Sequence, residues 1–491
     1  MSAPPTFEAP KESDVELRAF ISGAYVDVHG SEEFQLENPF TEEPFIVLKG
    51  SSEADVEDAF KAAKEAQPAW EALSALERAT LVRNLAALLT RDAVRLGSLE
   101  TVVTGKQMAV QLGPQMEGFI NMIAGWAHNT LGKSTTSIKD MVGITSYKAY
   151  GVVACLMPYN APTGKLAMGI VPALLAGNTV ILKPSERNAL GVIALGALFK
   201  EAGFPDGVVS IVPGGPKVGA LLASHMGIRA ITFTGSVAGG RAVAEAAARS
   251  NLKKVILELG GKSPALVFDD ADVQVAVGTL SAGIRLFAGQ MCVANSRIYV
   301  QESIAEAFKT AFLQYHLSHK PGDPWDLATD LGMSPINDKK AYDSALAFIE
   351  SARAEGGQIH QGETAKTKGY FVPATVITGL SEQAKAVKEE IFANVVHLST
   401  FKTEAEAIRV ANDTEFGLYA SVWTSNTDRA LRCSQALEAG TVVVNGSAPT
   451  LHPDLPFGGW KQSGTGKELG PDCIKEFMQE KTVFIKYKTA P

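Results

Sequence analysis

The 491-residue sequence has few cysteines and no long uninterrupted hydrophobic run. Its four cysteines are too few and too scattered for a disulfide framework, and they fit a reducing compartment. None of them forms a CxxC or Cys/His pair with zinc spacing, so we predict no metal. The most apolar stretch, residues 167–182, is interrupted by Pro172, Gly177 and Asn178, which argues against a membrane span.

The chain also lacks an excess of positive charge. It has 45 basic and 53 acidic residues, a net charge of −8, and no dense run of lysine and arginine. Nucleic-acid and membrane surfaces are therefore not expected as partners. Residues 1–14 are polar and proline-containing, lack the basic and apolar parts of a secretory signal, and predict a loose tail. We expect a cytoplasmic protein.

What the sequence does contain is an ordinary globular composition, with 46% hydrophobic and 20% charged residues. Residues 53–96 have helical periodicity, and Ser74 followed by Glu77 is a capping-box pattern. Residues 135–149 alternate as a partly exposed strand would.

From residue 151 short apolar runs alternate with helical segments, which predicts a parallel sheet covered by helices. Ligands of such sheets bind at the carboxyl ends of the strands. A second α/β series follows from 264 to about 460. The closing stretch, residues 481–487, is predicted to be a strand that either stays loose or pairs, for example with another subunit. The predicted strands of the first series are 152–156, 179–183, 208–212, 230–234 and 255–257.

Cys292 and Glu258 are the candidate nucleophile and base. Both lie beside glycines, which let the backbone approach a ligand closely. A thiol and a carboxylate supply the two groups that covalent catalysis needs. The alternative is that Cys292 is one more buried apolar residue.

Phosphate binding has no standard fingerprint here, because the chain has neither GxGxxG nor a Walker A motif. Gly235 and Ser236 instead stand between a predicted strand and helix, where free backbone N–H groups attract phosphate. The alternative is that Ser236 only caps the helix.

Lys183 and Glu186 follow another predicted strand. A glutamate there can accept hydrogen bonds from the adenosine ribose and would repel a 2′-phosphate, so NAD is favoured over NADP. The alternative is an ordinary solvated loop.

Asn160 follows the first strand of the series and can donate its side-chain amide to an oxyanion. The alternative is turn chemistry, because asparagine next to prolines is a turn signal.

Together these motifs resemble the aldehyde dehydrogenase superfamily, most closely its aromatic-aldehyde branch of salicylaldehyde and vanillin dehydrogenases. The motifs occur in family order: PYNAP (158–162), KPSE (183–186), FTGS (233–236), ELGGKSP (258–264), GQMC (289–292), EEIF (389–392) and PFGGWKQSGTGKELG (456–470).

The resemblance implies a catalytic role for four residues. Cys292 would be the nucleophile and Glu258 the general base. Asn160 would form the oxyanion hole with the backbone N–H of Cys292, and Glu468 would help to relay protons.

The resemblance also implies NAD as the coenzyme. The cofactor-binding residues would be Lys183 and Glu186 at the adenosine ribose, Gly235 and Ser236 at the pyrophosphate, Glu390 at the nicotinamide ribose, Phe392 beside it, and Gly240 and Leu259.

The implied architecture is α/β. A Rossmann-type parallel-sheet coenzyme domain (1–130 and 150–259) joins an α/β catalytic domain (260–460), with a small β oligomerisation element (131–149 and 471–491). A homodimer or homotetramer is expected.

Two departures from the family pattern stand out. Ala393-Asn394 replaces the usual Gly-Pro after EEIF. Gly169 stands where many members carry a basic residue after the oxyanion asparagine, which predicts a different pocket or proton route.

The expected reaction is oxidation of an aldehyde, aromatic by resemblance, to the carboxylic acid through a thiohemiacetal and a thioester. Aliphatic aldehydes and semialdehydes stay open as substrates. Two other classes are an acylating dehydrogenase that passes the thioester to coenzyme A and a non-enzymatic NAD-binding member. Glu258 argues against the first, and retention of Cys292 argues against the second.

Overall fold

The computed structural model describes residues 9–107, 112–326, 334–363 and 368–488. Most of the predicted N-terminal tail and the last three residues lie outside these ranges. The strands are β1 (Ala19–Ile21), β2 (Ala24–Val26), β3 (Glu33–Asn38), β4 (Glu43–Lys49), β5 (Ser134–Thr135), β6 (Met141–Ala149), β7 (Val152–Leu156), β8 (Thr179–Lys183), β9 (Val209–Ile211), β10 (Ala230–Thr234), β11 (Lys254–Glu258), β12 (Pro264–Val267), β13 (Arg297–Gln301), β14 (Gln358–Gln361), β15 (Thr375–Thr378), β16 (Val395–Phe401), β17 (Phe416–Gly417), β18 (Tyr419–Trp423), β19 (Thr441–Val444), β20 (Trp460–Lys461), β21 (Gly464–Thr465) and β22 (Met478–Lys486).

The helices begin where the sequence provides caps. Ser74 accepts a hydrogen bond from the backbone of Glu77, and the Glu77 carboxylate accepts one in return, which confirms the predicted capping box. The α-helices are α1 (Glu53–Ala72), α2 (Ala75–Arg91), α3 (Ala93–Thr104), α4 (Leu112–Gly125), α5 (Pro162–Lys165), α6 (Val171–Leu175), α7 (Leu190–Glu201), α8 (Pro216–Ser224), α9 (Val237–Arg249), α10 (Val273–Arg285), α11 (Ala305–His316), α12 (Lys339–Ala354), α13 (Lys385–Lys388), α14 (Glu404–Asn412) and α15 (Thr427–Ala436).

The first large sheet contains the five strands that the βαβ pattern predicts. Within the described residues its order is β2-β1-β9-β8-β7-β10-β11-β21, and the run from β9 to β11 is parallel. Every residue of β7 and β8 is buried, as expected for central strands covered by helices on both faces. The chain winds outward from β7 in both directions, so a ligand crevice opens between the carboxyl ends of β7 and β10.

The second large sheet has the order β14-β15-β16-β13-β12-β18-β19 and is parallel apart from its β14 edge. The link from Leu259 to Ser263 joins β11 of the first sheet to β12 of the second. The carboxyl end of the first sheet therefore faces the amino end of the second. The division into three domains made from the sequence stays a prediction.

A third sheet of three strands, β22-β6-β5, lies apart from the two large ones. The strand expected over 135–149 is interrupted, because β6 begins only at Met141 and Asp140 adopts a left-handed conformation with φ of 57°. The predicted terminal strand is present as β22. It pairs antiparallel with β6 of its own chain, from Met478 opposite Ala149 to Lys486 opposite Met141, and it lies at the edge of the three-stranded sheet.

Candidate active site

The facing edges of the two large sheets bring the predicted catalytic residues together. Glu258 is the last residue of β11, and Asn160 lies just beyond β7. Cys292 precedes β13 and so lies at the opposing edge of the second sheet. A methyl group on Gly261 would overlap the carbonyl oxygen of Cys292, so the loop after Glu258 packs directly on the nucleophile loop.

Cys292 is a free, partly buried thiol. Burial, together with the carboxylates of Glu390 and Glu258, raises the pKa of its thiol to about 12. Cys292 differs from the other three cysteines in being only partly buried, which sets it apart from an ordinary core cysteine. A thiol with a raised pKa needs nearby positive charge to become a thiolate near neutral pH.

Glu258 is 3% exposed, and neither of its carboxylate oxygens has a hydrogen-bond partner among the described residues. Burial, reinforced by the nearby Glu468, raises the pKa of Glu258 well above its usual value. A carboxylate with a raised pKa is a stronger base than an ordinary one, which suits a group that accepts a proton.

Asn160 directs its amide towards the nucleophile loop. Its Nδ2 donates to the carbonyl oxygen of Gln290 over 2.8 Å, two residues before Cys292. This contact uses one of the two N–H groups of the amide and fixes the direction of the other.

Glu468 lies in a buried ion pair that the sequence did not foretell. Its carboxylate contacts the ammonium of Lys165, which also donates to Thr232 over 2.7 Å. Lys165 and Glu468 are each 3% exposed. Burial alone would lower the pKa of Lys165, but the contact with Glu468 raises it overall.

Gly169 stands beside a buried cation, Lys165, which the sequence did not single out. A methyl group on Gly169 would lie 3.0 Å from Cε and 3.2 Å from Nζ of Lys165. The lysine one turn earlier therefore extends through the space that Gly169 leaves open. Lys165 was missed because the family pattern has its basic residue elsewhere, although a lysine inside an otherwise apolar helical stretch was a visible signal.

The predicted coenzyme residues gather at the carboxyl ends of β8 and β10. Lys183 is buried, and its ammonium lies 3.4 Å from the carboxylate of Glu186. The hydroxyl of Ser236 accepts from the N–H of Gly239 over 3.1 Å, so Ser236 caps helix α9. The N–H of Gly235 donates to the carbonyl of Glu258, which leaves the next N–H groups of α9 to meet a phosphate.

Leu259 and Gly240 pack against each other beneath this helix terminus. A methyl group on Gly240 would lie within 2.7 Å of the side chain of Leu259. The first turn of α9 therefore lies close against the residue that follows β11.

Glu390 and Phe392 also lie at the site. The carboxylate of Glu390 accepts from the N–H of Gly261 over 3.0 Å, and burial raises the pKa of Glu390 to about 7. The ring of Phe392 lies 6.1 Å from that of Tyr159. The Ala393-Asn394 departure is accommodated, because Asn394 is buried and interacts with His316.

The described residues contain no group of three or more His, Cys, Asp or Glu side chains arranged to hold a metal ion. None of their helices is both long and apolar enough to cross a membrane.

Comparison with known proteins agrees with this geometry. Residues 25–483 match the sequence model of the family described as "Aldehyde dehydrogenase family". The chain belongs to the aldehyde dehydrogenase family, so the predicted family and α/β fold are confirmed.

Three relatives are informative. Retinaldehyde dehydrogenase 3 of Homo sapiens is 40% identical over 493 residues, covering 98% of this chain and 96% of the relative. Gamma-glutamyl-gamma-aminobutyraldehyde dehydrogenase from Burkholderia cenocepacia J2315 superposes with a TM-score of 0.92 at 36% identity, covering 96% of this chain and 97% of that one. A mutant of indole-3-acetaldehyde dehydrogenase AldA from P. syringae, in complex with NAD+ and IAA, has a TM-score of 0.92 at 33% identity with the same coverage.

Proposed function

We propose that this protein oxidises an aldehyde to the carboxylic acid with NAD, through a covalent adduct on Cys292. The observation that carries the proposal is the meeting of Cys292, Glu258 and Asn160 between the two sheets. Each lies on a different segment, so their proximity is a property of the fold rather than of the local sequence.

The roles follow from the chemistry of each group. The sulfur of Cys292 adds to the carbonyl carbon and forms a thiohemiacetal. The free N–H of Asn160 donates to the resulting oxyanion, an interaction typically worth about 3 to 4 kcal/mol. NAD, when bound, supplies the hydride acceptor that lets this adduct become a thioester. Glu258 then removes a proton from the water that attacks the thioester. The carboxylic acid leaves, and the thiol of Cys292 is regenerated.

Glu468 and Lys165 would tune the basicity of Glu258. The negative charge of Glu468 helps to keep the pKa of Glu258 high, which makes Glu258 a stronger base. Lys165 holds Glu468 in place and balances its charge.

The coenzyme assignment rests on Glu186 and Lys183. A carboxylate at this strand end suits two ribose hydroxyls and opposes a 2′-phosphate. A similar protein, the indole-3-acetaldehyde dehydrogenase, is described in complex with NAD+. We therefore propose NAD rather than NADP, with Gly235, Ser236, Gly240 and Leu259 forming the crevice.

For the substrate we propose an apolar, aromatic aldehyde. The charges that act on the Cys292 thiol are the carboxylates of Glu390 and Glu258, which would repel the acid group of a semialdehyde. Met291 and Leu451 pack in the same apolar cluster as Cys292. A long apolar aldehyde is the second candidate, because the chain is 40% identical to a retinaldehyde dehydrogenase.

We also propose a homo-oligomer assembled through the β5-β6-β22 sheet. Phe484 and Ile485 on the edge strand β22 are 59% and 50% exposed, and exposed apolar side chains on an edge strand favour pairing with another chain. Sedimentation of the purified protein tests the proposed homo-oligomer.

The four free cysteines suit the proposed cytoplasmic location.

The test is to mix the protein with NAD and a panel of benzaldehyde-type, long-chain, retinoid and semialdehyde substrates and to follow NADH. Turnover that is fastest with aromatic aldehydes is expected, and Cys292→Ala should abolish it while NAD still binds. NADH formation confined to semialdehydes would reject the substrate assignment. Turnover with NADP alone would reject the role of Glu186.

A further inference from the structure

The loop that carries the nucleophile has an unusual backbone. Phe287 and Ala288 are both left-handed, with φ of 50° and 51°, and Gly289 follows with φ of 77°. Two consecutive non-glycine residues in this region cost free energy, of order 1 kcal/mol or more each. Such a conformation persists only where the surroundings hold it in place.

The side chain of Gln290 supplies that support. It is fully buried, and its amide makes four hydrogen bonds. Its Oε1 accepts from the Tyr159 hydroxyl and from the N–H of Asn337, each over 3.0 Å. Its Nε2 donates to the carbonyls of Phe287 and Pro335, each over 3.2 Å. The amide thus uses both of its N–H groups and both lone pairs of its oxygen, and it joins three separate segments.

The backbone of Gln290 performs a second task. Its carbonyl oxygen accepts the 2.8 Å hydrogen bond from Asn160 that fixes the direction of the oxyanion-binding amide. The position of that carbonyl depends on the side chain, because the same residue is held at its amide by four bonds. Cys292 lies only two residues further along the chain.

The Tyr159 partner is itself held in place. The Arg187 guanidinium stacks 4.2 Å from the centre of the Tyr159 ring and pairs with Asp338, next to Asn337. Arg187 directly follows Glu186. The hydrogen bonds of Gln290 therefore extend to the segment that would hold the coenzyme.

We propose that Gln290 is a positioning residue for aldehyde oxidation, which sets the nucleophile loop and the Asn160 amide at the same time. This inference rests on the proposed function, and all four hydrogen bonds of the Gln290 side chain are made to other groups of the protein. Its motif GQMC was recognised in the sequence, but only the cysteine received a role there.

The test is the variant Gln290→Glu, assayed against wild type between pH 6 and pH 9. An ionised carboxylate would keep the acceptor bonds but face two carbonyl oxygens where the amide donated. At pH 9 we expect kcat to fall about 100-fold, the size of losing one oxyanion donor, with the dissociation constant for NAD within about threefold of wild type. A buried carboxyl group is more readily protonated, and its O–H restores one donor. The ratio of variant to wild-type kcat should therefore rise as the pH falls.

Two control variants separate positioning from simple damage. Gln290→Met should lose activity by the same factor at every pH, because methionine has no proton to gain. Gln358→Glu makes the same change on the exposed edge strand β14 and should match wild type throughout. Three charged groups act on Tyr159: Arg187, Asp338 and Glu390. They are present in wild type and in these variants, so their own titration cancels in the ratio of variant to wild-type kcat.

Tyr159→Phe removes one of the four bonds and covers the case in which Gln290→Glu does not fold. We expect its kcat to fall about threefold to tenfold with unchanged NAD binding, in line with one lost hydrogen bond. If wild type oxidises aldehydes and both Gln290→Glu and Tyr159→Phe keep its kcat at every pH, the inference about Gln290 alone is wrong. If wild type forms no NADH with any aldehyde, the proposed function fails first.

Discussion

At the scale of single residues, the protonation of Glu258 is central. Its carboxyl group is buried without a hydrogen-bond partner among the described residues, so its raised pKa reflects lost hydration and the charge of Glu468. Glu258→Gln keeps the shape but removes the base. We expect one rapid equivalent of NADH per active site and then a steady rate lower by about 100-fold or more, because the thioester persists. Rapid mixing measures both phases, and an unchanged steady rate would show that another group activates the water.

The charge around Cys292 can be tested separately. Glu390 raises the pKa of the thiol, and its own pKa is about 7, so its effect appears above pH 7. Removing a nearby negative charge lowers a thiol pKa and increases the thiolate fraction. In the absence of coenzyme, Glu390→Gln should react with iodoacetamide several-fold faster than wild type at pH 8.5, and about equally at pH 6. Glu389→Gln, the exposed neighbour, should behave like wild type at both pH values.

The sequence predicted roles for Cys292, Glu258 and Asn160 because each stands in a short motif, where local pattern and chemistry coincide. It did not identify Lys165 or the task of Gln290. Their partners lie far along the chain, 303 residues away for Lys165 and Glu468. No local pattern encodes such a contact.

At the scale of elements, α5 and the turn of π-helix after it, Leu166–Ile170, shape the buried ion pair. The wider π-helical turn and the missing side chain at Gly169 leave a channel for Lys165. This arrangement replaces a basic residue at position 169 by one that reaches the same region from the preceding turn.

Gly169→Ala tests the channel. The added methyl would crowd Lys165 at 3.0 Å, and displacing the ammonium would leave Glu468 buried without its cation. We expect kcat to fall about threefold or more, with NAD affinity unchanged. Gly278→Ala in α10 is the matched control, because its methyl would meet nothing within 4 Å and should leave kcat as in wild type. Equal kcat in wild type and both variants would show that the space beside Gly169 is not needed to place Lys165 for catalysis.

Element boundaries were predictable where caps and alternation are strong, as for α2 and for β7 to β11. The strand expected over 135–149 was only partly right, because the left-handed Asp140 precedes β6. The partner of β22 could not be read from the sequence, since an alternating strand pairs equally well within its chain or across subunits.

At the scale of the whole molecule, folding buries ionisable groups in the second sheet. His397 on β16 is 2% exposed, and burial with nearby Lys262 and Arg297 lowers its pKa to about 3. In the unfolded chain a histidine takes up a proton below about pH 6.5, whereas the folded His397 stays neutral until about pH 3. The unfolded state therefore binds more protons in this window, and the free energy of unfolding falls as the pH falls.

We expect His397→Leu to reduce that dependence by up to about 1.4 kcal/mol per pH unit between pH 6 and pH 4. Neither ring nitrogen has a hydrogen-bond partner among the described residues, so leucine should lose no such bond at pH 7.5. Denaturant titrations of both proteins at several pH values measure the slopes. His316, whose pKa is also about 3, remains in both proteins and cancels in the comparison. Equal slopes of the free energy of unfolding against pH in the two proteins would show that His397 does not cause this pH dependence.

Short-range features of the chain were sufficient for the family, the α/β alternation and the positions of Glu258 and Asn160 at or just beyond strand ends. The periodicity of hydrophobic residues and the residue types of the loops are properties of a few neighbouring residues, and they suffice to predict these features. Tertiary packing alone decided that the carboxyl edge of one sheet faces the amino edge of the other. It also decided that Lys165 meets Glu468 and that Gln290 holds the nucleophile loop. The reason is that these contacts exist only after distant segments have packed, and their distances and burial are set by the whole core rather than by any one stretch of sequence.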